Sequence, residues 1–207
     1  MFTLFRTYFL FLFLFFFLYA CSQTNSCFDF EFTAHHLKLQ FDPDSQYLIA
    51  VDTISVKYSK NVDTIYFFLH DSLQVKRVNV AHQELFVQQI EPNEFKNISS
   101  QLPITDPLWT DHTQIFKVRI PKSLYPEHIQ VRYEGFISEP LDSVLWCPAL
   151  PDAMSSYFLT AVVPKDYRLT SNGLLQTEQI NDYWRLCQWE RAEPGVPITL
   201  GIIKSDS

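Results

Sequence analysis

From Thr33 onward the chain breaks into short runs rich in Val, Ile, Phe, Tyr and Thr, separated by Pro, Asp, Asn, Ser and Gly. No long segment carries a helical period, so the core must be built from alternate side chains of strands rather than from helix stripes. His36 to Phe41 alternates apolar Leu37, Leu39 and Phe41 with polar His36, Lys38 and Gln40, the period of a half-buried strand. Asp42-Pro43-Asp44-Ser45 reads as a turn, and Tyr47 to Tyr58 as a long second strand. Thr64 to Leu69 suits a strand covered on both faces. Leu73 to Val80 and Leu85 to Ile90 follow at hairpin spacing around a loop at 81–84, giving a meander.

Residues 91–113, with Pro92, Pro103 and Pro107, read as a long surface excursion holding at most a weak strand near Phe95. Strands resume over 114–120, 129–133, 156–163, 168–171, 174–179, 183–189 and 197–203, each closed by turn residues. This pattern predicts an all-β fold, an antiparallel β-sandwich of two sheets over residues 33–204. Val118, Ile120, Val131, Leu159, Ala161 and Val163 are its expected inward-facing core.

The segment ahead of this domain reads as a leader. Arg6 gives a short positive start, Tyr8 to Leu18 is almost pure Phe and Leu, and Leu18-Tyr19-Ala20-Cys21 ends it as a lipobox does. Residues 1–20 are expected to be a lipoprotein signal peptide and Cys21 the lipidated residue, with 21–32 as tether. Plain secretion or an uncleaved anchor are the other readings of the same run. A lipid anchor implies a bacterial cell envelope, and Ser22 after the cysteine fits a periplasm-facing outer-membrane location.

Without residues 1–20 the chain keeps 15 of its 16 Lys and Arg and all 23 Asp and Glu, a net charge of −8. With no basic stripe, nucleic acid is not an expected partner. Removing Cys21 leaves Cys27, Cys147 and Cys187. Cys147 and Cys187 can pair in an oxidising compartment or remain buried free thiols. Adjacent His35 and His36 point to opposite faces of a strand and cannot share a metal. Trp146, Trp184 and Trp189 could line a groove, but such residues more often pack a core. Asn97-Ile98-Ser99 fits a glycosylation sequon, which means little in a bacterial lipoprotein.

Several ordered segments resemble one family. The opening run His36 to Asp44, the strand Ile49 to Tyr58 and Thr64 to Leu73 come first; then Ile129 to Gly135, which ends Tyr133-Glu134-Gly135. Tyr157 to Pro164 and the run Leu169 to Leu175, with Ser171-Asn172-Gly173 inside it, follow. Together, over about residues 33–203, they resemble the N-terminal domain of the M1 zinc aminopeptidases. In that family a downstream domain carries a His-Glu-x-x-His helix, whose histidines ligate zinc from one helix face. The six histidines, His35, His36, His70, His82, His112 and His128, include no such pair, and no Gly-rich exopeptidase segment occurs.

The expectations are therefore a non-catalytic lipoprotein with no cofactor and no catalytic or metal residue of its own. Its partners would be the membrane, through the anchor, and a protein or peptide, which could be a separately encoded catalytic domain. A truncated remnant is the further alternative. The last apolar run, Ile198 to Ile203, followed by polar residues 204–207, reads as the close of the sandwich.

Overall fold

The computed structural model describes residues 28–59, 62–91, 94, 112–121, 126–151 and 153–205. The leader, Cys21, Cys27, Phe95 and the Asn97 sequon lie outside those residues. Thirteen strands are described: β1 (Phe30–Asp42), β2 (Tyr47–Tyr58), β3 (Thr64–His70), β4 (Leu73–Val80), β5 (Gln83–Leu85), β6 (Val87–Gln89), β7 (Thr113–Arg119), β8 (His128–Phe136), β9 (Ser155–Pro164), β10 (Tyr167–Ser171), β11 (Leu174–Ile180), β12 (Trp184–Gly195) and β13 (Leu200–Lys204). Eight of them form one large sheet in the order β11-β12-β9-β1-β2-β8-β4-β5. β3-β7-β6 and β10-β13 make two smaller sheets. One apolar cluster joins all three, from Leu37, Leu48 and Leu159 of the large sheet to Phe67 and Val118 of the second and Leu200 of the third. The fold is an all-β sandwich with its core between the large sheet and the smaller ones.

The expected core residues are all buried, Val118, Ile120, Val131, Leu159, Ala161 and Val163 among them. Asp42 builds the first turn, accepting bonds from the backbone N–H of Asp44 and the hydroxyl of Ser45. β3 is covered on both faces as its sequence suggests. Phe67 and Leu69 enter the main core, while Phe68 packs with Ile90, Ile115 and Leu145 on the other side.

Several features differ from the sequence expectation. There are three sheets rather than two, and the large one is mixed, because β1 pairs parallel with β9. The expected meander is broken: β3 lies in the three-stranded sheet and β4 in the large one. The expected strand 85–90 is cut at exposed Phe86, so β5 and β6 belong to different sheets. The loop at 81–84 is a two-residue turn with both Ala81 and His82 at positive φ, a geometry usually signalled by Asn-Gly. β1 also begins at Phe30, inside the expected tether, and Phe30 and Phe32 are buried.

Candidate functional site

Three groups of side chains depart from plain apolar packing, and each follows from strand geometry. The first is inside the sandwich. A register shift between Phe32 and Ala34 changes which residues of β1 face inward, so that Phe30 and Phe32 are followed by His35, Leu37 and Leu39. On β2 the inward positions are Leu48, Ala50, Asp52, Ile54 and Val56. His35 and Asp52 therefore meet in the core, 2.7 Å apart, with side chains 4% and 0% exposed.

Around this pair stand Tyr133 of β8 and the Trp146-Cys147 segment, all buried. Asp52 Oδ1, Tyr133 OH and Trp146 Nε1 have no hydrogen-bond partner among the described residues. Burial pushes the Tyr133 phenol well above its ordinary value, with the Cys147 and Asp52 charges adding to it. Burial, and then the Asp52 carboxylate, drives the Cys147 thiol up as well. A thiol beside a His–Asp pair contains the parts of a nucleophilic site. The thiolate is the reactive form, however, and this environment suppresses it. The cluster is also closed to solvent, so it acts as interior structure.

Cys147 and Cys187 are free and buried, so the disulfide that the sequence allows is not formed. Burial raises the Cys187 thiol to about 11. Trp146 and Trp189 are core residues, and Trp184 is half-buried.

The second group lies at the end of β3. His70 Nδ1 is 2.7 Å from Ser72 Oγ, and its ring stacks on that of His112 at 6.0 Å. Asp71 is 3.5 Å from His70 Nδ1 and 3.4 Å from His112 Nδ1, and Glu139 is 3.9 Å from His70 Nε2. Burial lowers the His70 pKa, against the opposing pull of Asp71 and Glu139. Among the described residues no three His, Cys, Asp or Glu side chains are grouped so as to hold a metal ion.

The third group is on the surface. β11 ends the large sheet, and Leu174, Leu175, Ile180 and Tyr183 of the β11–β12 hairpin are all exposed, Tyr183 to 82%. Nothing local warns of this group, because apolar residues in a strand are ordinarily read as core. Asp52 did leave a signal: it is a charged residue at an inward position of the alternating strand β2.

No family model and no curated protein matches this chain. Solved structures share its fold. An M1 zinc metallopeptidase from Deinococcus radiodurans superposes with a TM-score of 0.62 at 15% identity, over 84% of this chain and 42% of that one. Native yeast LTA4 hydrolase gives a TM-score of 0.61 at 12% identity, over 86% of this chain and 29% of its own. Legionella pneumophila aminopeptidase A gives 0.57 at 13% identity, over 88% and 22%. The chain thus spans less than half the length of each protein. At these identities the likeness is one of fold, and it is the fold expected from the resemblance to the M1 N-terminal domain.

Proposed function

We propose that this chain, on a fold shared with part of the M1 zinc metallopeptidases, is a non-catalytic binding module tethered to the bacterial envelope through a lipid on Cys21. The observation that carries the binding role is the gathering of Leu174, Leu175, Ile180 and Tyr183 on one exposed hairpin. They lie on both faces and at both ends of β11, and a strand that leaves so many apolar side chains uncovered is a candidate contact surface. The buried polar cluster lies inside the sandwich rather than on a surface a partner could reach. The partner is a protein or peptide.

A photo-crosslinking residue placed at Tyr183 in the intact, membrane-associated chain tests this reading. A discrete adduct at Tyr183, absent when the same residue replaces exposed Phe86 on the opposite edge, supports it. Equal labelling at both places, or none at Tyr183, contradicts it.

A second reading is favoured by coverage: the chain spans 42% of the Deinococcus metallopeptidase. The partner would then be a polypeptide that carries a zinc site, and the two together would form an aminopeptidase. Zinc and aminopeptidase activity that co-purify with the Tyr183 adduct would select this reading over a non-enzymatic partner.

A further inference from the structure

His70 ends β3, where the chain crosses from the three-stranded sheet to the large one. Its backbone is fixed on both sides: the N–H donates to Leu145 O at 2.8 Å, and the carbonyl accepts from the Gln114 side chain at 3.1 Å. Its ring is fixed by Ser72, in the turn that leads into β4. The Ser72 backbone N–H donates to Nδ1 at 3.3 Å, so Nδ1 is an acceptor and the neutral ring carries its proton on Nε2. The Ser72 hydroxyl, 2.7 Å from the same nitrogen, then donates to it as well. Nε2 is buried without a hydrogen-bond partner among the described residues, and Glu139 at 3.9 Å is too far to be one.

The same Nδ1 has a second neighbour that favours the opposite protonation state. Asp71 Oδ1 lies 3.5 Å away, so a carboxylate faces the nitrogen lone pair while the ring is neutral. The other Asp71 oxygen faces His112 Nδ1 at 3.4 Å, and the Asp71 N–H donates to His112 O at 2.8 Å. His112, the residue before β7, has a φ of 58°, in the left-handed region that few residues other than Gly occupy. These contacts hold it there, together with the stack of its ring on His70. Asp71 and His112 are exposed and have room to move. Ser72 has none, because its carbonyl lies close against Gly135 of β8. Among the described residues, the charged groups facing the His70 ring are therefore Asp71 from the turn, Glu139 from the segment after β8 and His112 from the approach to β7.

We propose that His70 is an acid-sensitive latch on this crossover: a proton on Nδ1 displaces the Ser72 donors, draws Asp71 to the ring and releases His112 from the start of β7. A cationic imidazole has two N–H donors and no acceptor, so Nδ1–H and the Ser72 N–H would point at each other and the turn cannot stay as it is. Asp71 Oδ1 is the nearest acceptor for the new N–H, and engaging it draws Oδ2 away from His112. The stack fails as well when both rings are cationic, and departure relieves the His112 backbone. Burial disfavours the charged ring and lowers the His70 pKa against the pull of Asp71 and Glu139. The latch is therefore closed at neutral pH and opens below about 6.5. It stands apart from the binding-module reading, since it needs neither the anchor nor a partner.

The test is NMR of the intact chain in detergent, isotope-labelled in its histidine rings and serine amides and titrated from pH 8 downward. At the start, the His70 nitrogens are expected to show a proton on Nε2 and an accepting Nδ1. As His70 titrates, the Ser72 amide proton moves upfield and the contact between the His70 and His112 rings is lost, with one midpoint below about 6.5. Glu139→Gln lowers that midpoint and His112→Asn raises it, since each removes a charge that faces the ring. His70→Asn keeps an acceptor for the Ser72 N–H and does not titrate, so its Ser72 amide stays in place through the same range. A neutral His70 protonated on Nδ1, or a Ser72 amide and His112 contact indifferent to the His70 titration, overturns the proposal. Loss of all native resonances together at that midpoint also overturns it, because the proton would then act on global stability and not on a local latch.

Discussion

His35 donates its Nδ1–H to Asp52 Oδ2 over 2.7 Å, between two neighbouring strands and out of reach of solvent. The contact exists because the bulge in β1 brings His35 to the inward face, where Asp52 already stands among Leu48, Ala50 and Ile54 of β2. A charged residue in that register is destabilising unless paired.

Breaking this pair is therefore costly. Asp52→Ala leaves the His35 ring N–H unpaired in the core and is expected to destabilise the chain by about 3–5 kcal/mol. The double substitution His35→Leu with Asp52→Leu is expected to recover most of that loss. Urea unfolding of the two variants checks both values, and a double variant no better than Asp52→Ala would show the pair is not an isolated unit.

Tyr133 gives a test of sign. Its hydroxyl is buried without a partner beside Asp52. Tyr133→Phe removes a desolvated polar group and no bond, so the expected change in unfolding free energy is between zero and about 1 kcal/mol of stabilisation. A loss above about 1 kcal/mol would mean the hydroxyl is bonded in solution.

The His70 pKa is lowered in the fold, mainly by burial. The unfolded chain then binds the proton more readily, so this group favours folding fully above its unfolded value of about 6.5. Its contribution is lost as pH falls from there through the lower folded value. Unfolding midpoints measured from pH 8 downward should decline below about 6.5, and His70→Gln should flatten that part of the curve.

Both described thiols should be inert in the native chain, since burial raises Cys147 strongly and Cys187 to about 11. With Cys21 and Cys27 replaced by serine, a thiol reagent at pH 8 should label neither until denaturant is added, and then both. Prompt labelling of the folded chain would contradict the burial of these residues.

Gly135 follows the same logic of close approach. A Cβ there would collide with the backbone carbonyl of Ser72 at the start of β4. Gly135→Ala is expected to cost about 1–3 kcal/mol by forcing β4 away from β8, measurable by thermal unfolding.

The parts of the fold that the sequence makes legible are those governed by local alternation. Leu37, Leu39 and Phe41 on β1, and Leu159, Ala161 and Val163 on β9, face inward as their period requires. What stays hidden depends on non-local partners. Nothing local to β1 and β9 announces that they run parallel, and the Ala81-His82 turn lacks the residues that usually mark its geometry. The candidate site is less legible still: Leu174, Leu175 and Ile180 have the composition of core, and only the position of β11 at the end of the sheet makes them surface. The functional reading rests on that position.

The most direct test of the binding-module account is the mass of the chain after mild detergent extraction of its membrane, compared with its mass after denaturation. The account predicts a larger native species that resolves on denaturation into this chain and a second polypeptide. A single species at the mass of the chain alone under both conditions would contradict it.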